Sequence, residues 1–438
     1  MGDREHNAAR NSAAFRIPYV ELHTRLVLAR SRLAAVLGIL GATVPMALVG
    51  SALPASASIG TQAVSGIGPL FSVACPTTTL CEAVGQNEAL QGVVVPINSG
   101  IPGSPQPVPS IAILFGMACP TATTCEAVGE RSTSDGGGVV VGITRGLPGS
   151  PQTVSGNSAL VSVACHSSST CEAVGIVPPV GVLIRAGLPG SPQGLSGTES
   201  LGDVACPTAT TCDAVGESSS GGVIVPITDG TLGSPQAVPG TADLSGIACP
   251  TATTCEAVGY NSSFEGVAVS TTNGIPATAK VVSGPAGAAP TAVSGGGVLT
   301  RVACTSATTC EAVGDGATGG LIVPITNGTP GTPQVVSDTT LNSVACPTAN
   351  ICIAVGSNSN SGPGEGLVVA FTATAAPASL GASPSPSATT SLPPSPRGSG
   401  GGSPTGMIAL LAVLGLVVVS AGGIWLARHR SIGSSTGS

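Results

Sequence analysis

The chain's fourteen cysteines fall into seven pairs, each with five residues between its members, and nothing else in the sequence constrains folding as strongly. The pairs are Cys75/Cys81, Cys119/Cys125, Cys165/Cys171, Cys206/Cys212, Cys249/Cys255, Cys304/Cys310 and Cys346/Cys352. Successive first members are 44, 46, 41, 43, 55 and 42 residues apart, the period of a β-blade rather than of a helical solenoid. Each of the first six copies holds four short β-prone runs parted by Gly, Pro, Ser and Thr clusters. The copy beginning at Leu201 reads LGDVAC, PTATT, CDAVG, GGVIVPIT, DGTLGSP and PQAV. Such a sheet is apolar on both faces and unstable alone, so neighbouring copies must cover it.

The chain ends distinguish an open array from a ring. The last copy has three strands and then runs into a Ser/Pro/Gly segment, whereas an orphan run, Thr61-Gln62-Ala63-Val64, precedes the first copy and matches the fourth-strand pattern PQxV. Pairing the orphan with the last copy completes seven sheets and removes the exposed edges. The expected fold is all-β: a monomeric seven-bladed β-propeller of four-stranded antiparallel blades over residues 58–373, closed by strand exchange. A parallel β-helix is the alternative, and it needs shorter coils without an exchange of ends.

Paired cysteines at this spacing point to disulfides set directly across the hairpin of strands one and two, and to an oxidising compartment. They are expected to act as staples of that one hairpin. Zinc sites favour two to four intervening residues and often use His, and the only His in the repeats is His166. No metal and no cofactor is expected. An acid follows the second cysteine in six copies, at Glu82, Glu126, Glu172, Asp213, Glu256 and Glu311, with Ile353 in the seventh. A residue that repeats with the blade is expected to cap backbone amides within it, so function should lie where the copies differ.

The termini predict a surface protein on a tether. Residues 1–57 have the layout of a signal peptide, with an apolar run at 33–50 after Arg25, Arg30 and Arg32 and an Ala55-Ser56-Ala57 cleavage site. An uncleaved N-terminal anchor is the alternative. Residues 374–406 form an uncharged Ser/Pro/Gly/Thr stalk apart from Arg397, expected to be disordered. Residues 407–427 are 21 uncharged residues, long enough for one transmembrane helix. Arg428, His429 and Arg430 then hold the tail, 428–438, in the cytoplasm and leave the repeats outside the cell membrane.

Between residues 58 and 374 there are 18 acidic and 5 basic side chains, a balance that repels phosphate backbones and argues against a nucleic-acid partner. The copies differ most in the loops after strand two, and loops on a rigid scaffold are the usual place for recognition. The candidate ligand-binding residues are Glu88, Glu130, Asp135, Tyr260, Glu265, Asp315 and Glu365, with Asp243 and Asp338 on the same face. No catalytic residue is assigned: HExxH, GxSxG and phosphate-loop motifs are absent.

The stretch Ser72–Gly85 and its copy Thr251–Gly259 resemble a repeat of secreted bacterial proteins in the sialidase-like (BNR, Asp-box) propeller superfamily. Thr228-Asp229-Gly230-Thr231 and Thr326-Asn327-Gly328-Thr329 look like worn Asp boxes between strands three and four. The resemblance implies the architecture. It also implies what an active member would need, an arginine triad and a Tyr/Glu nucleophile pair, whereas the repeats carry four arginines and Tyr260 alone. The expectation is a non-catalytic propeller that binds a protein or envelope ligand. A divergent glycoside hydrolase or lyase and a structural envelope component are the alternatives.

Overall fold

The computed structural model describes residues 59–132, 137–156, 158–283, 297–358 and 364–373. The expected signal segment, stalk, membrane span and tail lie outside them, as does Asp135. The described residues form strands and turns only.

Blade 1 is built from Ile67–Ala74, Leu80–Asn87 and Gly92–Asn98, with an outer strand in two pieces, Ile101–Pro102 and Gln106–Val108. Blades 2 to 6 repeat this order, starting from Ile111–Ala118, Ala159–Cys165, Ser200–Ala205, Asp243–Ala248 and Val298–Cys304. A single bridge from Ile176 to Ser200 joins the sheets of blades 3 and 4. Blade 7 takes Thr339–Ala345, Ile351–Asn358 and Glu365–Thr372 from the C-terminal side and Ile59–Val64 from the N-terminal side. Ile59 pairs with Phe371 and Val64 with Gly366, so the orphan run closes the ring as the sequence predicts.

First strands touch first strands all the way round, and blade 7 touches blade 1, so these strands line the axis. The core lies between blades as seven apolar clusters, one per interface. Alternation along one strand shows how: Val139 and Val141 pack toward blade 1, whereas Val140 packs toward blade 3. A strand covered on both faces has no polar side, which is why these runs read as unbroken Val and Ile.

All seven cysteine pairs are disulfides with Cα separations of 3.8 to 4.0 Å. Inside each staple a hydroxyl holds the turn: Thr77 Oγ1 accepts from the amides of Thr79 and Leu80, and Thr121, Ser167, Thr208, Thr251, Ser306 and Thr348 repeat this contact in part or whole.

The staples are nonetheless more than the hairpin clips the sequence suggests, and two points need correction. Only Cys165 with Cys171 and Cys304 with Cys310 stand opposite each other within the ladder. In the other five blades the first strand ends one residue early, so Cys81, Cys125, Cys212, Cys255 and Cys352 lie in strand two while their mates sit in the turn. The second correction concerns burial. Cys81, Cys125, Cys171, Cys212, Cys255, Cys310 and Cys352 are all core residues, each in a different one of the seven inter-blade clusters, and their mates are only partly buried. The cause is position: the second cysteine points from strand two into the blade interface, where a disulfide sulfur packs as an apolar group. Each bridge therefore fills the core between blades as well as closing its own hairpin.

The glycine ending CEAVG has an equally local reason. Every first strand carries a β-bulge, as where Leu201 pairs with Gly216 but Asp203 with Val215, leaving Gly202 unopposed. The bulge drives a carbonyl toward the second strand: a Cβ at Gly216 would stand 2.0 Å from Ser200 O.

Two further features follow from local chain chemistry. The outer strands of blades 1 to 6 come in two pieces, and most of the gaps hold a proline, such as Pro105, Pro151 or Pro235, that cannot donate to the ladder. The six-residue latch Ile59–Val64 has no proline and pairs along its whole length. The supposed Asp boxes are two-residue hairpin turns with both central residues at positive φ, such as Asp229 (51°) and Gly230 (75°). That is type I′ geometry, which Asp-Gly and Asn-Gly suit.

Two outcomes test this description. Deleting residues 59–64 should expose the edge of Glu365–Thr372 and shift the protein toward aggregates or swapped oligomers, relative to the intact chain, in sizing chromatography. Gly216→Ala should lower stability by about 2 kcal/mol or more in denaturant melts, since backbone rather than a mobile side chain must move.

Candidate ligand-binding face

Antiparallel order places the turns between strands two and three, and the crossovers between blades, on one face of the ring, the loop face. The disulfide turns and the type I′ turns lie on the other, the cysteine face.

The repeated acid belongs to neither. Glu82, Glu172, Asp213, Glu256 and Glu311 are buried at the interfaces between blades. Glu82 accepts a hydrogen bond from the amide of Gly146, in the type I′ turn of the next blade. A Cβ on Gly187 or Gly328 would come within 3.4 Å of the Glu126 or Glu256 carboxylate of the preceding blade. Glu256 also accepts from Ser270 Oγ at 2.8 Å. Glu82 therefore bonds to the next blade rather than to its own as expected, whereas Glu256 bonds within its own blade. Asp213 sits with Cys249 and Cys255 in a group whose ligand atoms lie within 4.8 Å of one another, but those sulfurs are bonded together and offer no thiolate to a metal.

Polar and aromatic contacts join first strands of neighbouring blades. Phe71 and Phe115, in adjacent blades, meet edge to face at 5.6 Å. Opposite them Arg301 reaches from blade 6, donating to Ser245 O and to Gly202 O (3.2 Å), with Nε 3.8 Å from Asp203 Oδ2. Asp203 in turn accepts from Ser162 Oγ at 2.5 Å and Ile247 N at 2.9 Å, so one ion pair joins blades 3 to 6.

On the loop face two turns share one architecture. In Asn87–Gln91 the Asn87 side chain accepts from Gln91 N at 2.9 Å, and Leu90 N donates to Asn87 O at 3.0 Å. In Asn261–Glu265 the Asn261 side chain accepts from Glu265 N at 3.0 Å, and Phe264 N donates to Asn261 O at 2.9 Å. Both place a large apolar residue at positive φ, Leu90 at 58° and Phe264 at 59°, and Val177 in blade 3 has φ of 43°. This backbone is unfavourable for such residues, and their side chains are 67% (Leu90), 53% (Phe264) and 66% (Val177) exposed. Phe264 stacks on Tyr260 at 5.5 Å and 13°. Beneath them Asp243 is buried and accepts from Ser245 Oγ. Burial pushes Asp243 up to about 6 and, with Asp243 and Glu217 nearby, pushes the Tyr260 phenol up to about 12.

The predicted residues thus separate. Glu88 and Glu265 are exposed in these turns, and Glu265 is tied to Asn261 Nδ2 at 2.8 Å. Tyr260, Glu130 and Glu365 are half-buried at strand ends. Asp315 is an inter-blade cap rather than a surface carboxylate: it accepts from Leu341 N at 3.1 Å, and burial pushes it up to about 7. Sequence reasoning missed Leu90 and Val177; the shared pattern Asn-x-x-Leu/Phe-Gln/Glu in blades 1 and 5 was the available signal. The ring's cations do not converge: Arg145 and Arg185 are exposed on the cysteine face, while Arg301 is held at the axis.

No protein-family model matches the sequence, and no curated protein matches it. Solved structures do. U3-55K aligns with a TM-score of 0.53 at 10% identity, over 72% of this chain and 98% of that one. The WD40 β-propeller domain of Doa1 gives 0.52 at 10%, over 72% and 97%, and the Myceliophteria thermophila Cps50 (Swd1) β-propeller gives 0.52 at 8%, over 72% and 100%. The likeness is one of fold.

The buried acids give the fold a pH dependence. Burial raises Glu82, Glu126 and Asp213 above their ordinary values and pushes Glu172 and Glu256 up to about 7, against weaker pulls from Arg185 on Glu172 and from Ser270 and Lys280 on Glu256. The folded state therefore binds more protons than the unfolded chain between about 4.5 and 7. Stability falls as pH rises through that window and levels off above it. The melting temperature should be several degrees higher at about pH 5 than at about pH 8, and Glu172→Gln should raise it at the alkaline end and flatten the profile. A profile rising toward alkaline pH would reject this account.

Proposed function

We propose that this chain is a non-catalytic binding module, held outside the cell on a membrane stalk, that engages a protein or envelope ligand through its loop face. The observation that carries this reading is the division of labour between residues. The repeated Cys, Thr, Gly and Glu are consumed by staples, turns, bulges and blade contacts. The non-repeated Leu90, Val177 and Phe264 are held into solvent at unfavourable backbone angles. Exposed apolar side chains on the loops of blades 1, 3 and 5, with Glu88 and Glu265 in the same turns as Leu90 and Phe264, supply separate apolar anchors with polar neighbours of the kind interfaces use. All seven disulfides support an oxidising location, and the uncharged stretch 407–427 followed by basic residues supports the tether. Descent from sialidase-like propellers belongs to the same proposal and concerns architecture alone.

The test is retention of an envelope partner by the full chain. Leu90→Ser combined with Phe264→Ser should weaken retention by about tenfold or more while leaving the melting temperature within a degree or two, as for exposed interface anchors. Equal retention by wild type and variant would reject the loop face as the binding surface.

A further inference from the structure

The cysteine face has a character the proposed function leaves unused. The residue after the glycine of the type I′ turn is Ile101, Leu147, Leu188 and Ile275 in blades 1, 2, 3 and 5, and these side chains are 61% to 69% exposed. Three of them stand on consecutive blades, and each is carried by a two-residue hairpin. The face around them is nearly free of acid. The seven disulfide turns hold no Asp, Glu, Lys or Arg, and the type I′ turns add exposed Arg145 and Arg185 against Asp229. Lys280 reaches the same turns by donating to Thr329 Oγ1 at 3.0 Å. The loop face, by contrast, carries Glu88, Glu130, Glu199, Glu217, Glu265, Asp338 and Glu365.

Chain direction supplies the occupant. The last strand, Glu365–Thr372, descends from the loop face and ends on the cysteine face, and the latch begins beside it at Ile59, opposite Phe371. The 33 residues of the stalk segment, 374–406, and the uncharged run 407–427 therefore follow from this face. We infer that the cysteine face is a lipid-contacting surface: Ile101, Leu147, Leu188 and Ile275 insert among the headgroups of an anionic bilayer, with Arg145 and Arg185 beside the lipid phosphates. Apolar tips combined with basic groups are what interfacial binding requires. The acidic loop face is repelled by the same surface, so the charge asymmetry orients the ring with its loops outward. This inference rests on the tether of the proposed function.

The test uses the full chain in vesicles of phosphatidylglycerol and phosphatidylethanolamine, with a site-specific protease sequence inserted in the stalk near Arg397. After cleavage the propeller should sediment with the vesicles at low salt and be released at high salt, and it should be released from phosphatidylcholine vesicles at either salt. Leu147→Glu with Leu188→Glu should reduce the sedimenting fraction by about tenfold, with unchanged disulfide mapping and melting, whereas Phe264→Ser on the loop face should leave it unchanged. Immediate release of the wild-type propeller on cleavage would overturn the inference while leaving the tether intact. A full chain that never enters vesicles would overturn the tether first, and soluble propeller that still binds them would sustain the surface alone.

Discussion

Every sheet in this molecule is apolar on both sides, and that requirement governs the rest. A blade with one neighbour leaves half of its valines in water, so stability comes only when every blade has two neighbours. An open row always fails this at its ends. A ring does not, and closing the ring requires a strand borrowed from the opposite end of the chain. The alternation of Val139, Val140 and Val141 between two interfaces shows the same demand inside a single strand.

With aromatics at 2% of the chain, the blades must gain order by other means. Each staple closes a loop of about seven residues and on the chain-entropy view contributes about 2 kcal/mol, independently of its neighbours. Its inner sulfur, as at Cys81 or Cys352, adds apolar contact in the same clusters as the valines. The bulge and its glycine pull the first two strands together near the axis, and Glu82 bridges from its own blade to a turn of the next. Carboxylates placed between apolar sheets cost free energy when ionised. Glu82 meets an amide donor at Gly146 and Glu256 a hydroxyl at Ser270, whereas burial dominates at Glu172.

Cysteine spacing, strand count and the orphan run were legible because each leaves a mark that repeats or is conspicuously missing. The partner of the repeated acid was not, because a side chain that crosses to the next blade leaves no trace in the period of its own. The packing role of Cys125 and Cys212 was hidden for the same reason: spacing shows which cysteine each one bonds, not which neighbouring blade it touches. Asp315 was misplaced because its sequence neighbourhood is a loop, but its amide partner, Leu341 N, lies in the following blade. The Asp-Gly and Asn-Gly turns carry less information than the cysteines, since any type I′ hairpin favours those residues. Leu90 escaped notice because apolar residues in loops are read as unremarkable until backbone angle and exposure are known together.

The latch joins the first described strand to the last, and this fixes an order of events as the chain is made. Ile59–Val64 emerges long before Glu365–Thr372 exists to receive it. Disulfides between cysteines six apart can form within each hairpin as it appears, so cross-linking need not wait for the ring. Closure must wait. A chain cut short at any blade could hold its local disulfides and yet stay open, with its N-terminal strand unpaired. Completion of synthesis is thereby written into the fold as a single pairing event, separate from the chemistry that secures the individual blades.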